Sequence, residues 1–170
     1  LKYPRTPHLQ GSGLAAGDKE TIPYKQLLGR HIVVEEKLDG ANVGISFEQG
    51  ELHLQSRGHY LNLHQTGGRE RQFNYFKLWA KTHETALQAA LGARYIMYGE
   101  WLCEFDVYDR AEQVFLDTPT RQPLLQRLPV VSVPVLYQGV APKSLAALQA
   151  LIQPSLAKTS AWSSSFACAC

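Results

Sequence analysis

Cysteine is scarce in this chain: three residues in 170, with Cys103 in a strand-like stretch and Cys168 and Cys170 at the far end. So few and so spaced, they exclude a disulfide scaffold and suit a reducing, cytoplasmic setting. Long apolar runs are missing too. None reaches the about 18 residues that a membrane-crossing helix needs, and the first residues lack the apolar core of a signal peptide. A membrane partner is therefore not expected. The six histidines, His8, His31, His53, His59, His64 and His83, follow no metal-ligand spacing, and Cys168-x-Cys170 alone is a weak signal. No glycine-rich loop of the GxxxxGK type is present, which excludes a P-loop phosphate site. Neither sign of charge is in excess. A formal net charge of +2 does not mark a nucleic-acid binder by itself, though an average leaves room for a local basic groove. What the chain does have is 45% hydrophobic residues, enough at this length to bury a proper core as a single domain.

The most informative segment is Lys37-Leu38-Asp39-Gly40, which follows the strand-like run His31-Ile32-Val33-Val34-Glu35-Glu36. It sets a lone lysine where an apolar strand gives way to a turn. An amine so placed can be desolvated and can attack a phosphoryl group as a covalent catalyst. Next, Val43, Ile45 and Phe47 alternate as on a half-buried strand. A turn is predicted at Glu48-Gln49-Gly50-Glu51, after which Leu52 and Leu54 resume the alternation toward Gln55-Ser56-Arg57-Gly58. In an antiparallel hairpin the start of the first strand and the end of the second lie together, so Arg57 is expected near Lys37 and Gly40. A guanidinium there would bind phosphate and disfavour the protonated lysine.

Elsewhere the sequence predicts fewer landmarks. Residues 1–21, rich in Pro, Gly and basic side chains, read as an extended arm. Phe73, Phe76, Ala80, His83, Leu87 and Leu91 recur at helical spacing, which predicts one helix from Arg69 to Leu91 stopped by Gly92. Its Arg69, Arg71, Lys77 and Lys81, set among Tyr75 and Trp79, form a basic face that suits solvent or RNA. Tyr95 to Tyr108 reads as unbroken strand pattern, interrupted only by Gly99. Val130 to Tyr137 reads as a buried strand with Pro134 at an edge or bulge, and Ser144 to Ile152 as a short helix.

Four segments occur in a telling order: Lys37-Leu38-Asp39-Gly40, Ser56-Arg57-Gly58, Tyr98-Gly99-Glu100-Trp101 and Glu104-Phe105-Asp106. Taken singly each has an ordinary structural use, such as a strand-end lysine, a turn dipeptide or a core phenylalanine. Together they resemble the covalent nucleotidyltransferases, and the text around Lys37 and Arg57 is most similar to the ATP-dependent RNA ligases of the double-strand-sealing type. The resemblance runs from about Tyr3 to about Ile152. It implies an α+β adenylation domain built on antiparallel sheets, akin to the ATP-grasp-like ligase fold.

The resemblance also implies a chemistry. Lys37 would attack the α-phosphate of ATP, and the resulting AMP would pass to an RNA 5′-phosphate before a 3′-hydroxyl seals the strand. Arg57 would hold the nucleotide's phosphates or ribose, Glu100 would accept from the ribose hydroxyls, and Phe105 would stack on the adenine with Asp106 beside it. Glu36, Asp39 and Gly40 flank the nucleophile as further nucleotide-binding positions. ATP and Mg²⁺ are the expected cofactors and nicked or broken RNA the expected partner, in a role such as RNA repair.

Two departures from the family pattern are expectations in their own right. Between Trp101 and Glu104 the family has a longer segment, so material is expected to be missing there. Downstream, the Glu-Gly strand and the Lys-x-Lys strand are absent, and the stretch 153–170 reads as a non-native or disordered tail. These features predict an incomplete, impaired ligase. The alternatives are a capping-type guanylyltransferase or DNA ligase, or a non-catalytic nucleotide- or RNA-binding remnant.

Overall fold

The computed structural model of the chain describes residues 1–4, 6–12, 21–100 and 103–155. It divides into two compact units, one built from Leu1–Lys2 and Lys37–Val133, the other from Tyr3–Glu36 and Pro134 onward. Most of the arm at 13–20, the residue Trp101 and all but the first three residues of the 153–170 tail lie outside the described residues.

The first unit is organised by a six-stranded sheet. Its strands are β4 (Asn42–Glu48), β5 (Glu51–Ser56), β6 (Tyr95–Glu100), β7 (Cys103–Asp109), β8 (Val114–Phe115) and β9 (Val131–Ser132), numbered after three strands of the other unit. The spatial order is β5-β4-β6-β7-β8, with β9 pairing parallel to β7. All other neighbours in this sheet are antiparallel. The expected hairpin forms in the expected register, from Val43 opposite Ser56 to Glu48 opposite Glu51. Its turn needs two positive φ angles, supplied by Gln49 at 53° and Gly50 at 87°, the combination that a two-residue hairpin of this twist favours.

One face of this sheet makes the core. Val43, Ile45, Phe47, Leu52, Leu54, Met97 and Val107 pack against Phe73, Phe76, Ala80, Leu87 and Leu91 from the helical segment, with Leu125 and Leu128 beyond. The helical segment differs from the single helix predicted. A 3-10 turn over Gly68–Phe73 leads into α1 (Asn74–Thr82) and then α2 (Glu84–Leu91). The break falls at His83, whose φ of −104° and ψ of 13° leave the helical basin. Periodicity missed the break because Trp79, His83 and Leu87 keep the same spacing across it. Gly92 ends α2 at φ +49°, and its N–H donates to the Gln88 carbonyl.

Two strand expectations need correction. The run Tyr95–Tyr108 is not one strand but the antiparallel pair β6 and β7, with Glu100 opposite Cys103. In sequence, the stretch between them offers none of the Gly, Asn or Asp that would have signalled a break. Likewise, Val130–Tyr137 is not one buried strand. β9 belongs to this sheet, whereas β10 (Val135–Val140) pairs antiparallel with β3 (His31–Glu35) in the other unit. Pro134, which lacks an N–H, falls in the gap, and of the eight residues only Val133 is buried. Not anticipated is α3 (Thr118–Leu125), which starts at Asp117, whose carboxylate accepts from the Thr120 N–H, and carries Pro119 in its first turn.

In the second unit, β3 and β10 form a ladder with an irregularity between Val135 and Tyr137. A short parallel contact joins β1 (His8–Leu9) to β2 (Thr21–Ile22), and α4 (Leu145–Gln149) is capped by Ser144, whose hydroxyl accepts from the Ala147 N–H. The Tyr24 hydroxyl donates to the Pro142 carbonyl at 2.5 Å. No helix among the described residues is long and apolar enough to cross a membrane.

Candidate active site

Lys37 stands exposed just after β3, in irregular backbone that leads into β4 through Asp39 and Gly40. Arg57 follows the last residue of β5, one step beyond the Val43–Ser56 pair, and is exposed as well. Glu100 ends β6 directly opposite Asn42, the first residue of β4. Three strand ends thus deliver three charged groups to one end of the sheet. On these strands, Asn42 and Glu100 alternate with Val43 and Gly99, so they point away from the apolar core face.

Glu100 reports how close these groups are. Burial raises its carboxyl pKa above the ordinary carboxylate value, while Lys37 and Arg57 pull it down and Asp39 pushes it up. The Asn42 side chain hydrogen-bonds the carboxylate, yet Oε2 is buried without a hydrogen-bond partner among the described residues. An acceptor left dry and unpaired costs free energy unless a ligand supplies the missing donor. Gly40 closes the other side: a Cβ there would lie 3.5 Å from Glu100 Oε2.

Phe105 and Asp106 enter from β7, two and three residues beyond Cys103, the partner of Glu100. They fall at a bulge, because Tyr98 pairs with Asp106 and Gly99 with Glu104, so that the register steps over Phe105. Bulges of this kind re-aim side chains beside functional sites. Arg121 from α3 braces the bulge. Its Nη1 donates to the Phe105 carbonyl and lies 3.7 Å from Asp106 Oδ1, while its Nε is 3.2 Å from Glu104 Oε1. Glu104 is 2% exposed and also accepts from the Ser132 hydroxyl at 2.8 Å, which makes it a structural anchor.

Sequence reasoning missed Asn42 and Arg121. Asn42 could have been found from the alternation, since it is one residue out of phase with Val43, Ile45 and Phe47 and so faces the Glu100 side. Arg121 gave no signal, because its partners lie 15 and 17 residues upstream on another element. Glu36 belongs to the second unit, where its carboxylate accepts from the Ser155 hydroxyl and its N–H donates to the Pro134 carbonyl. The basic face also changes character: Lys77 is buried against Glu70, and Lys81 pairs with Glu84 at 2.5 Å.

The fold and site thus define a largely antiparallel sheet whose strand ends gather a lysine, an arginine and a carboxylate with one buried oxygen. A profile of the RNA ligase family matches residues 30–163, and the chain belongs to that family. Solved structures of a Naegleria gruberi RNA ligase share its fold. The form with pyrophosphate superposes with a TM-score of 0.64 at 21% identity, covering 79% of this chain and 45% of the other. A variant with ATP and Mn gives 0.63 at 20% identity over 80% and 45%, and one with AMP and Mn gives 0.62 at 22% over 79% and 45%. The chain therefore spans under half the length of these structures. No curated protein sequence is significantly similar to it.

Proposed function

We propose that this chain is the nucleotide-handling part of an ATP-dependent RNA ligase, with Lys37 as the residue that becomes adenylated. The observation that carries the reading is the convergence of Lys37, Arg57 and Asp39 on the buried carboxylate of Glu100. The family match supports it, as does the presence of ATP, AMP and pyrophosphate in the solved relatives. That match runs through parts of both compact units, which favours reading the whole chain as one nucleotidyltransferase domain.

In this reading the deprotonated Nζ of Lys37 attacks the α-phosphorus of ATP. A P–N bond forms, the P–O bond to pyrophosphate breaks, and AMP remains on the lysine. Arg57 offers a planar cation to the phosphates, where charge builds up in the transition state. The unpaired Oε2 of Glu100 accepts from a ribose hydroxyl, and Phe105 offers an aromatic face to the adenine with Asp106 beside it. An RNA 5′-phosphate then displaces the lysine to take AMP, and a 3′-hydroxyl displaces AMP to close the strand.

A divalent cation fits this site in one way only. Among the described residues no group of three or more His, Cys, Asp or Glu side chains could hold a metal ion. Mg²⁺ bound mainly by nucleotide phosphates and water needs only one or two carboxylates, and the exposed Asp39 beside Glu100 would supply one. When bound, the ion neutralises phosphate charge. The low cysteine content supports a cytoplasmic location.

Incubation with ATP labelled at the α-phosphate and Mg²⁺ tests the assignment. An acid-labile adduct that disappears in Lys37→Ala is expected. Label that persists in that variant would sink the role of Lys37, and binding of ATP without an adduct would identify a non-catalytic nucleotide-binding module.

A further inference from the structure

The segment from Arg57 to Gln65 has little regular structure, yet it places Arg57. Among the described residues Arg57 makes no hydrogen bond and no ion pair within 4.0 Å, so its position is set by its backbone. That backbone is tied down by groups well outside the candidate site. The Ser56 N–H donates to the His59 carbonyl at 2.9 Å, and the Ser56 hydroxyl lies 3.0 Å from His59 Nδ1. Further on, the Leu61 N–H donates to the Leu54 carbonyl at 2.8 Å, returning the loop to β5.

Beneath the loop lies a buried ion pair. Lys77 of α1 is 5% exposed and spends its ammonium donors on three acceptors: the Asn62 carbonyl at 2.8 Å, the Gln65 carbonyl at 2.7 Å and Glu70 Oε2 at 2.5 Å. Glu70 Oε2 also accepts from the Asn62 N–H at 3.0 Å, and Oε1 lies 3.5 Å from His59 Nε2. Among the described residues, the side-chain hydrogen bonds and ion pairs of the two, other than their own, therefore go to the loop that begins at Arg57. A buried ion pair is a poor source of stability, because desolvating two charges offsets most of their attraction. Its use here is geometric: it holds a loop that is otherwise tied to β5 only by the bridge between Gln55 and Tyr60 and the backbone hydrogen bonds beside it.

We propose that Lys77 and Glu70 are positioning residues for Arg57, acting through His59 and Asn62 to set where the guanidinium meets the nucleotide's phosphates. This rests on the reading of Arg57 as a phosphate ligand. A pair that served stability alone could be replaced by apolar residues of similar size with no effect on binding.

The test measures ATP affinity in Mg²⁺ by calorimetry for the full chain, Arg57→Ala, the double variant Glu70→Met with Lys77→Met, and the combination of all three. Melting temperature and amide exchange are followed in parallel. The double variant should fold with little change in melting temperature, because an apolar pair replaces a charged one. Its ATP affinity should fall roughly tenfold, and the Asn62 amide should exchange faster. Adding Arg57→Ala to it should cost almost nothing more, the non-additivity of residues that act through one another. If the double variant keeps ATP affinity within about twofold while Arg57→Ala loses it, the positioning role is overturned and the phosphate role stands. If Arg57→Ala itself leaves affinity unchanged, the reading of the site fails in a separate arm, and the inference with it. Should the double variant not fold, Glu70→Gln keeps the shape and the acceptor for Asn62 while removing the charge. It should then weaken ATP about threefold, and unchanged affinity would overturn the proposal.

Discussion

A methyl group on residue 99 would lie 2.6 Å from the carbonyl oxygen of Cys103, so Gly99 and Cys103 approach as closely as backbone allows. The approach belongs to the bulge at which the register steps over Phe105. Gly99→Ala must push the two strands apart, since the obstacle is main chain and cannot swing aside. A loss of about 2–3 kcal/mol is expected, seen as a lower urea midpoint at unchanged m. A variant as stable as the parent would show that the bulge is not held by this contact.

Glu100→Gln separates stability from function. Burial raises the Glu100 pKa, so the folded site disfavours the charged carboxylate relative to the unfolded chain. Removing the charge should raise the melting temperature by about 2–4 °C while weakening ATP binding by about tenfold or more. A variant that both melts lower and binds ATP normally would contradict the assignment of Glu100 to the nucleotide.

Arg121→Met strands a buried carboxylate. Glu104 is 2% exposed; its Oε2 accepts from the Ser132 hydroxyl, while its Oε1 would lose the guanidinium 3.2 Å away. Breaking such a pair from one side commonly costs about 3–5 kcal/mol, and adding Glu104→Met should recover most of it. Thermal or urea unfolding of the two variants checks the order.

Acid should unfold the protein through a small set of carboxylates. The hydrogen bond from Lys77 lowers the Glu70 pKa, that from Arg94 lowers Asp109, and that from Thr120 lowers Asp117. Each contributes stability that is complete above its ordinary pKa of about 4 and is lost as pH falls through the depressed native value. Glu100 acts in the opposite sense, since between its ordinary and its raised pKa the native state binds the extra proton and gains stability as pH falls. Asp109→Asn should flatten the acid side of a melting-temperature profile. An unchanged acid limb would assign that loss to other groups.

The sequence was most informative where function and local pattern coincide. The β4–β5 hairpin was legible from the alternation of Val43, Ile45, Phe47, Leu52 and Leu54 with Gly50 at the turn, and hairpin geometry alone then placed Arg57 beside the start of β4. What stayed hidden depended on partners remote in sequence. Lys77 looks like a solvent-facing residue of a basic helix until Asn62, Gln65 and Glu70 are seen around it. Val131 and Val135 look like one strand until each is found in a different sheet, a choice made by β7 and β3 rather than by the segment itself. Arg121 is invisible for the same reason. Its role is defined by a bulge on β7 that only the pairing with β6 creates.

Tyr98, on the sheet face away from the helical core, sets a limit of a different kind. Its ring is fully buried, and its hydroxyl donates to the Leu1 carbonyl at 2.7 Å, as the Gln55 amide does at 3.0 Å. Burial pushes its pKa up to about 12, against an ordinary 10.0. Between those values the unfolded chain surrenders the phenolic proton and the native sheet retains it, so alkali draws the equilibrium toward the unfolded side. The protein therefore carries an optical alarm in its own sheet: the share of the phenolate absorbance of eight tyrosines that Tyr98→Phe removes reports the sheet giving way, in advance of the ring's own native titration.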